Sequence, residues 1–112
     1  MRVTQLAQTI VGEGTYAGFS CFLVRLSGCN LHCAWCDTPV SHSPGSEMPL
    51  SSVVERALAF SGKIILLTGG EPLANPSTSK LVTQWLRHEK IILIETNGTF
   101  PIKSFLKPGV II

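Results

Sequence analysis

Charge is scarce in this chain: 14% of its 112 residues are charged, and 9 Lys and Arg against 7 Asp and Glu leave a formal net charge of +2. The cations are scattered, and without a concentrated positive patch there is no footprint for a nucleic-acid backbone. Long hydrophobic runs are also missing. Purely apolar stretches reach four residues, as at 64–67 and 91–94, far below the roughly 18 that span a bilayer. No repeat, low-complexity tract or linker divides the sequence, so a single domain at the small end of domain size is expected. The opening segment, Met1-Arg2-Val3-Thr4-Gln5-Leu6-Ala7-Gln8, lacks the apolar core of a secretion signal. A cytoplasmic protein with no membrane and no nucleic-acid partner is therefore expected. Disorder is excluded by the 45% of hydrophobic residues, which supply enough apolar surface to offset ordering entropy.

What is present is an alternation of strand and helix signals. Strands are expected over 3–11 and over 20–26, the second rich in β-branched and aromatic residues. The polar, Pro- and Gly-containing stretch 37–49 reads as a long loop. Ser52 and Glu55 have the spacing of a capping box, predicting a helix over 52–60 that a left-handed Gly62 closes. Residues 63–67 form a continuous apolar strand of the kind buried in a parallel sheet. A second helix over 77–89 places Leu81, Val82, Trp85 and Leu86 on one apolar stripe, which makes Trp85 a core residue. Residues 91–95 read as another buried strand, and 109–112 as the first part of one more. This order predicts an α/β fold with a mostly parallel sheet. Ligands bind such sheets at the carboxyl ends of the strands. Three Gly-containing polar turns fall there: Ser27-Gly28-Cys29, Thr68-Gly69-Gly70-Glu71 and Thr96-Asn97-Gly98.

Of the four cysteines, Cys29, Cys33 and Cys36 fall in one loop with the spacing C-x3-C-x2-C. In a chain with no sign of export, closely spaced cysteines read as metal ligands or reactive thiols before disulfides. Three thiolates in so short a loop can hold three irons of a [4Fe-4S] cluster and leave the fourth open to an exogenous ligand. The competing reading is a structural zinc site completed by His32 or Asp37, although such sites usually draw paired ligands from distant parts of the sequence. Cys21, in mid-strand, reads as core packing.

The run Gly28-Cys29-Asn30-Leu31-His32-Cys33-Ala34-Trp35-Cys36-Asp37-Thr38, together with Thr68-Gly69-Gly70-Glu71-Pro72, resembles the radical S-adenosylmethionine enzymes. More narrowly, Gly12-Glu13-Gly14, Phe22-Leu23-Val24-Arg25-Leu26, the Cys-Asp-Thr ending at Thr38 and Glu95-Thr96-Asn97-Gly98 look like the 7-carboxy-7-deazaguanine synthase family. The resemblance implies an incomplete (β/α) partial barrel of the radical SAM type. It also implies that S-adenosylmethionine chelates the open iron and is split by one electron to a 5'-deoxyadenosyl radical, which abstracts hydrogen from the substrate. The synthase family converts 6-carboxy-5,6,7,8-tetrahydropterin to 7-carboxy-7-deazaguanine with loss of ammonia, using Mg2+, on the route to queuosine and other 7-deazapurines. The resemblance further implies a pterin substrate, an electron donor such as flavodoxin or ferredoxin, and a homodimer.

Residue by residue, it assigns the cluster to Cys29, Cys33 and Cys36 and the magnesium ion to Thr38, beside Asp37. A hard cation takes oxygen ligands and keeps waters, so one hydroxyl from the protein suffices. Gly69 and Gly70 would admit the methionyl ammonium to backbone carbonyls that a Cβ would obstruct. Glu71 would shape that turn, Trp35 would line the adenine, and Glu95 and Asn97 would lie near the ribose. Ile10, Val11, Gly12, Glu13 and Thr68 would border the substrate. Arg25 shares a strand face with Leu23 and Cys21, where an unpaired charge is costly. It is expected to hold a substrate carboxylate, with an ion pair to Glu13 or Glu95 as the structural alternative. The family carries Gln where this chain has Val11. Its fold is a barrel of about six βα units, on the order of twice this length. Residues 1–112 are therefore expected to be the N-terminal, cluster-binding half of the radical SAM core domain. Two other readings compete: a glycyl-radical activating enzyme, and a non-catalytic remnant that binds a cluster or dimerises through its unfinished sheet.

Overall fold

The structure, a computed structural model, describes residues 1–27 and 45–112. Among these, β1 (Arg2–Ile10), β2 (Ser20–Leu26), β3 (Ser46–Glu47), α1 (Leu50–Leu58), β4 (Ile64–Gly69), α2 (Thr78–Arg87), β5 (Ile91–Ile94) and β6 (Val110–Ile111) follow in chain order. The strands form one sheet in the order β3-β1-β2-β4-β5-β6. β1 pairs antiparallel with β2 and β3, whereas β2, β4, β5 and β6 are parallel neighbours in sequence order.

Strand alternation sorts the side chains into two unlike faces. Phe22, Val24, Leu26, Ile65, Leu67, Ile92 and Ile94 point to the face that Val53, Val54 and Ala57 of α1 and Leu81, Val82 and Trp85 of α2 cover. Trp85 is fully buried, and its indole N–H donates to the Val54 carbonyl at 3.4 Å, fastening the two helices together. A smaller apolar cluster of Val11, Cys21, Ile64 and Leu93 occupies the other face. Both helices thus lie on one side of a sheet whose parallel strands advance in one direction. Such one-sided layering suits one wall of a (β/α) barrel, and the sheet itself is not closed.

The strand readings hold with shifts of one or two residues at their ends, and three local expectations change. Helix α1 begins at Leu50, with Pro49 as its N-cap and no side-chain capping bond, so Ser52 and Glu55 form no capping box. Pro49 is extended at its own position, and its carbonyl accepts from Ser52 N and Val53 N. Gly62 does not take a left-handed conformation. It is glycine because its backbone passes under the Phe60 ring, where a Cβ would come within 2.5 Å of ring carbons. The stretch 37–49, expected as loop throughout, ends in β3, whose Glu47 accepts from the Met1 ammonium at 2.8 Å.

Candidate functional site

The register of the parallel strands determines which side chains meet on the open face. Leu23 lies beside Leu66 and Leu66 beside Leu93; one step on, Arg25 lies beside Thr68. Glu95 follows directly, its amide donating to the Leu67 carbonyl at 3.0 Å. A row of Arg25, Thr68 and Glu95 therefore crosses the carboxyl ends of β2, β4 and β5. The turn after β1 brings Glu13 over that row, because Val11 N and Gly18 N close the 11–19 segment onto Phe19 O and Val11 O.

Two cavities open on this face. One, of about 400 Å³, is lined by Thr9, Ile10, Gly12, Glu13, Leu23, Arg25, Leu66, Thr68 and Glu95. The other, of about 430 Å³, is lined by Val11, Glu13, Gly14, Thr15, Tyr16, Leu66, Leu93, Ile94, Glu95, Ile111 and Ile112. Leu66, Glu13 and Glu95 border both, so the two are compartments of one open concavity. Five of the six residues expected at the substrate share the first compartment. The sixth, Val11, is 4% exposed and packs with Cys21, Ile64 and Leu93. Its side chain supports the floor of the second compartment and offers no hydrogen bond.

The polar groups in this concavity have capacity to spare. Arg25 Nε donates to Gln5 Oε1 at 3.1 Å, and among the described residues no carboxylate pairs with the guanidinium. The ion pair with Glu13 or Glu95, the structural alternative for Arg25, is not formed. A guanidinium carries five N–H donors, so donors remain for a ligand. Thr68 is 6% exposed, and the described residues supply no hydrogen-bond partner for its hydroxyl. A buried polar group without a protein partner is costly unless water or a ligand completes it. Below them, burial and then the negative charge of Glu95 raise the Cys21 thiol above its ordinary value. Cys21 is a buried packing residue, as its mid-strand position predicts.

On the rim, Gly69 has φ +142°, and a Cβ there would lie 2.1 Å from the Leu26 carbonyl oxygen. Gly70 N donates to that same oxygen at 3.2 Å. The Gly69–Gly70 turn is thus pressed against the end of β2, one residue before the chain enters segment 28–44. A turn this close to the strand end tolerates no side chain at Gly69, because its Cβ position is filled by the Leu26 backbone. Glu71 is 2% exposed and contacts protein donors through both oxygens: Leu73 N on Oε2, and Thr96 Oγ1 and Asn97 N on Oε1, each at 2.7 Å. Asn97 Oδ1 in turn accepts from Thr99 N at 3.0 Å and Thr99 Oγ1 at 2.6 Å.

The structure thus brings together Ile10, Gly12, Glu13, Arg25, Thr68 and Glu95 in one compartment, and Gly69, Gly70, Glu71 and Asn97 on the adjoining rim. Cys29, Cys33, Trp35, Cys36, Asp37 and Thr38 lie outside the described residues. Glu95, expected at the ribose, lines the compartment that holds Arg25 and Glu13. Sequence reasoning placed Glu71 in the turn but missed its bonds to Thr96 and Asn97. A buried carboxylate 25 positions from its Thr96 partner leaves no periodicity to read.

The chain is similar to curated proteins named 7-carboxy-7-deazaguanine synthase. It is 39% identical over 102 residues to the one from Methanospirillum hungatei, covering 90% of this chain and 44% of that protein. With the Thermoplasma acidophilum protein it shares 39% over 106 residues, covering 95% and 51%. With the Chlorobaculum tepidum protein it shares 34% over 102 residues, covering 91% and 46%. The chain spans about half the length of these curated relatives. Its fold matches the crystal structure of QueE from Escherichia coli with a TM-score of 0.76 at 23% identity, over 97% of this chain and 56% of that one. Residues 23–110 match the Radical SAM superfamily, and with most of its length inside that match the chain belongs to this superfamily, whose chemistry rests on a [4Fe-4S] cluster and S-adenosylmethionine.

Proposed function

We propose that this chain carries the cluster-binding part and one wall of the substrate pocket of a 7-carboxy-7-deazaguanine synthase. The enzyme would contract 6-carboxy-5,6,7,8-tetrahydropterin to 7-carboxy-7-deazaguanine with loss of ammonia, in queuosine and 7-deazapurine biosynthesis. The observation that carries the reading is the meeting of Arg25, Thr68, Glu13 and Glu95 in one compartment at the strand ends. A guanidinium with donors to spare suits a carboxylate, because its planar fork matches both oxygens. Carboxylates and a hydroxyl around it suit the N–H groups and ring nitrogens of a pterin edge.

When bound, the cluster and S-adenosylmethionine supply one-electron chemistry that removes a hydrogen atom from the substrate. The protein's own groups bind and orient. Arg25 takes the substrate carboxylate, Glu13, Glu95 and Thr68 hold the pterin edge, and Leu23 and Leu66 form an apolar floor. Gly69 and Gly70 present backbone to the methionyl group, and Asn97 stands on the ribose side. Cys29, Cys33 and Cys36 are assigned to the cluster, Trp35 to the adenine, and Thr38 with Asp37 to Mg2+, all from the sequence motifs. Among the described residues no helix is long and apolar enough to cross a membrane. A cytoplasmic setting, a flavodoxin or ferredoxin as electron donor and a homodimer complete the reading.

Anaerobic reconstitution with iron and sulfide tests it. The expected result is a brown protein absorbing at about 400 nm, as thiolate-bound iron–sulfur clusters do. Ammonia released from carboxytetrahydropterin only when S-adenosylmethionine, a reductant and Mg2+ are all present supports the synthase reading. A reconstituted chain without that absorption removes the cluster assignment; pterin turnover that survives a magnesium chelator removes the metal.

A further inference from the structure

We propose that Glu71 is a positioning residue that sets the turn after β5 against the turn after β4 and itself touches no ligand. The inference rests on the proposed reading of this rim as the S-adenosylmethionine site, and deepens it. A carboxylate buried to 2% exposure needs donors, and here three protein groups supply them at 2.7 Å each. Leu73 N belongs to the turn of β4, whereas Thr96 Oγ1 and Asn97 N belong to the turn of β5. No main-chain ladder joins these segments beyond the Leu67–Ile94 pair and the bond from Glu95 N to Leu67 O. Glu71 continues the connection past the last ladder bond.

The connection is anchored on both sides. Pro72, next to Glu71, accepts from the fully buried Thr78 hydroxyl through its carbonyl, which ties the turn of β4 to the start of α2. Thr96 Oγ1 donates to Glu71 and accepts from Gly98 N at 3.2 Å, so the same hydroxyl also shapes the turn of β5. Charge-assisted bonds of this kind are shorter and stronger than neutral ones. Three protein donors fill most of the carboxylate's acceptor positions and hold it inside the fold between the two turns. Its effect on a ligand spanning both turns is therefore geometric, through the backbone of Gly69, Gly70 and Asn97.

The test uses the full 112-residue chain with Glu71→Gln and, separately, Thr96→Val, which keeps Glu71 and removes only a donor to it. In the chain without ligand, hydrogen exchange at the Asn97 amide should quicken roughly tenfold or more in Glu71→Gln, while β4 and β5 interior amides keep their protection. In the reconstituted, oxidised protein, S-adenosylmethionine affinity should fall in both variants, with cluster absorption unchanged. Lost affinity in Glu71→Gln with Asn97 exchange unaltered and Thr96→Val neutral would overturn the proposal, because it would make Glu71 a direct ligand contact. A wild-type chain that loads its cluster but binds no S-adenosylmethionine would overturn the reading of the site. Unaltered Asn97 exchange in Glu71→Gln would overturn the positioning role alone.

Discussion

Arg25 sets a cation in a compartment whose floor is apolar, with Leu23 and Leu66 beside it. Its alternation with Leu23 and Cys21 along β2 already places that cation on an apolar strand face. What the sequence leaves open is the partner, since Glu13 and Glu95 lie 12 positions before and 70 positions after it. The structure brings both into its compartment without pairing either, and gives it the neutral Gln5 on the neighbouring strand. Removing Arg25 should therefore leave folding stability within about 0.5 kcal/mol, as for other partly exposed sites without a buried partner. Arg25→Ala should weaken binding of the pterin roughly tenfold to hundredfold, the loss expected for a charge-assisted contact. Cluster absorption and S-adenosylmethionine affinity should not move. Arg25→Lys restores the charge without the fork and should recover only part of the binding. Isothermal titration of the cluster-loaded protein with substrate distinguishes the outcomes, and unchanged affinity in Arg25→Ala would end the assignment.

At the scale of elements, periodicity carried the reading further than local signals did. The stripe of Leu81, Val82 and Trp85 and the apolar runs of β4 and β5 appear in the structure as expected, because burial of many side chains fixes them together. The ends of elements depend on one or two bonds each, and there the sequence misled. Ser52 and Glu55 have the right spacing for a capping box, yet α1 starts two residues earlier, behind Pro49. Proline sets its own φ, and its carbonyl already receives Ser52 N and Val53 N, so the hydroxyl of Ser52 is not needed. Ser52→Ala should accordingly change stability by less than about 0.5 kcal/mol, where loss of a working N-cap costs about 1 kcal/mol. Urea denaturation followed by circular dichroism measures the difference. A loss at the full capping value would mean that the Ser52 side chain does cap α1.

For the whole molecule, the decisive property is that one face of the sheet is covered by helices, whereas the other, among the described residues, carries no helix and opens into the two compartments. The βα alternation in the sequence implies a parallel sheet, but the same alternation also suits a doubly wound sheet with helices on both sides. Strand order and helix placement separate the two, and neither is written in local composition. Consecutive residues of β4 make this measurable, because Leu66 and Leu67 are chemically identical and face opposite ways. Leu67 is fully buried beneath the helices, whereas Leu66 is half-buried and lines both compartments. Leu67→Ala should cost about 2–5 kcal/mol, the usual range when a packed leucine leaves a cavity. Leu66→Ala removes a side chain already partly in contact with solvent and should cost only about 1 kcal/mol. The comparison is read from urea midpoints at constant m, so that a change in the denatured state does not pass for a change in packing. Equal losses at the two positions would mean that both faces are covered, and the open concavity that holds Arg25, Thr68 and Glu95 would have to be given up with it.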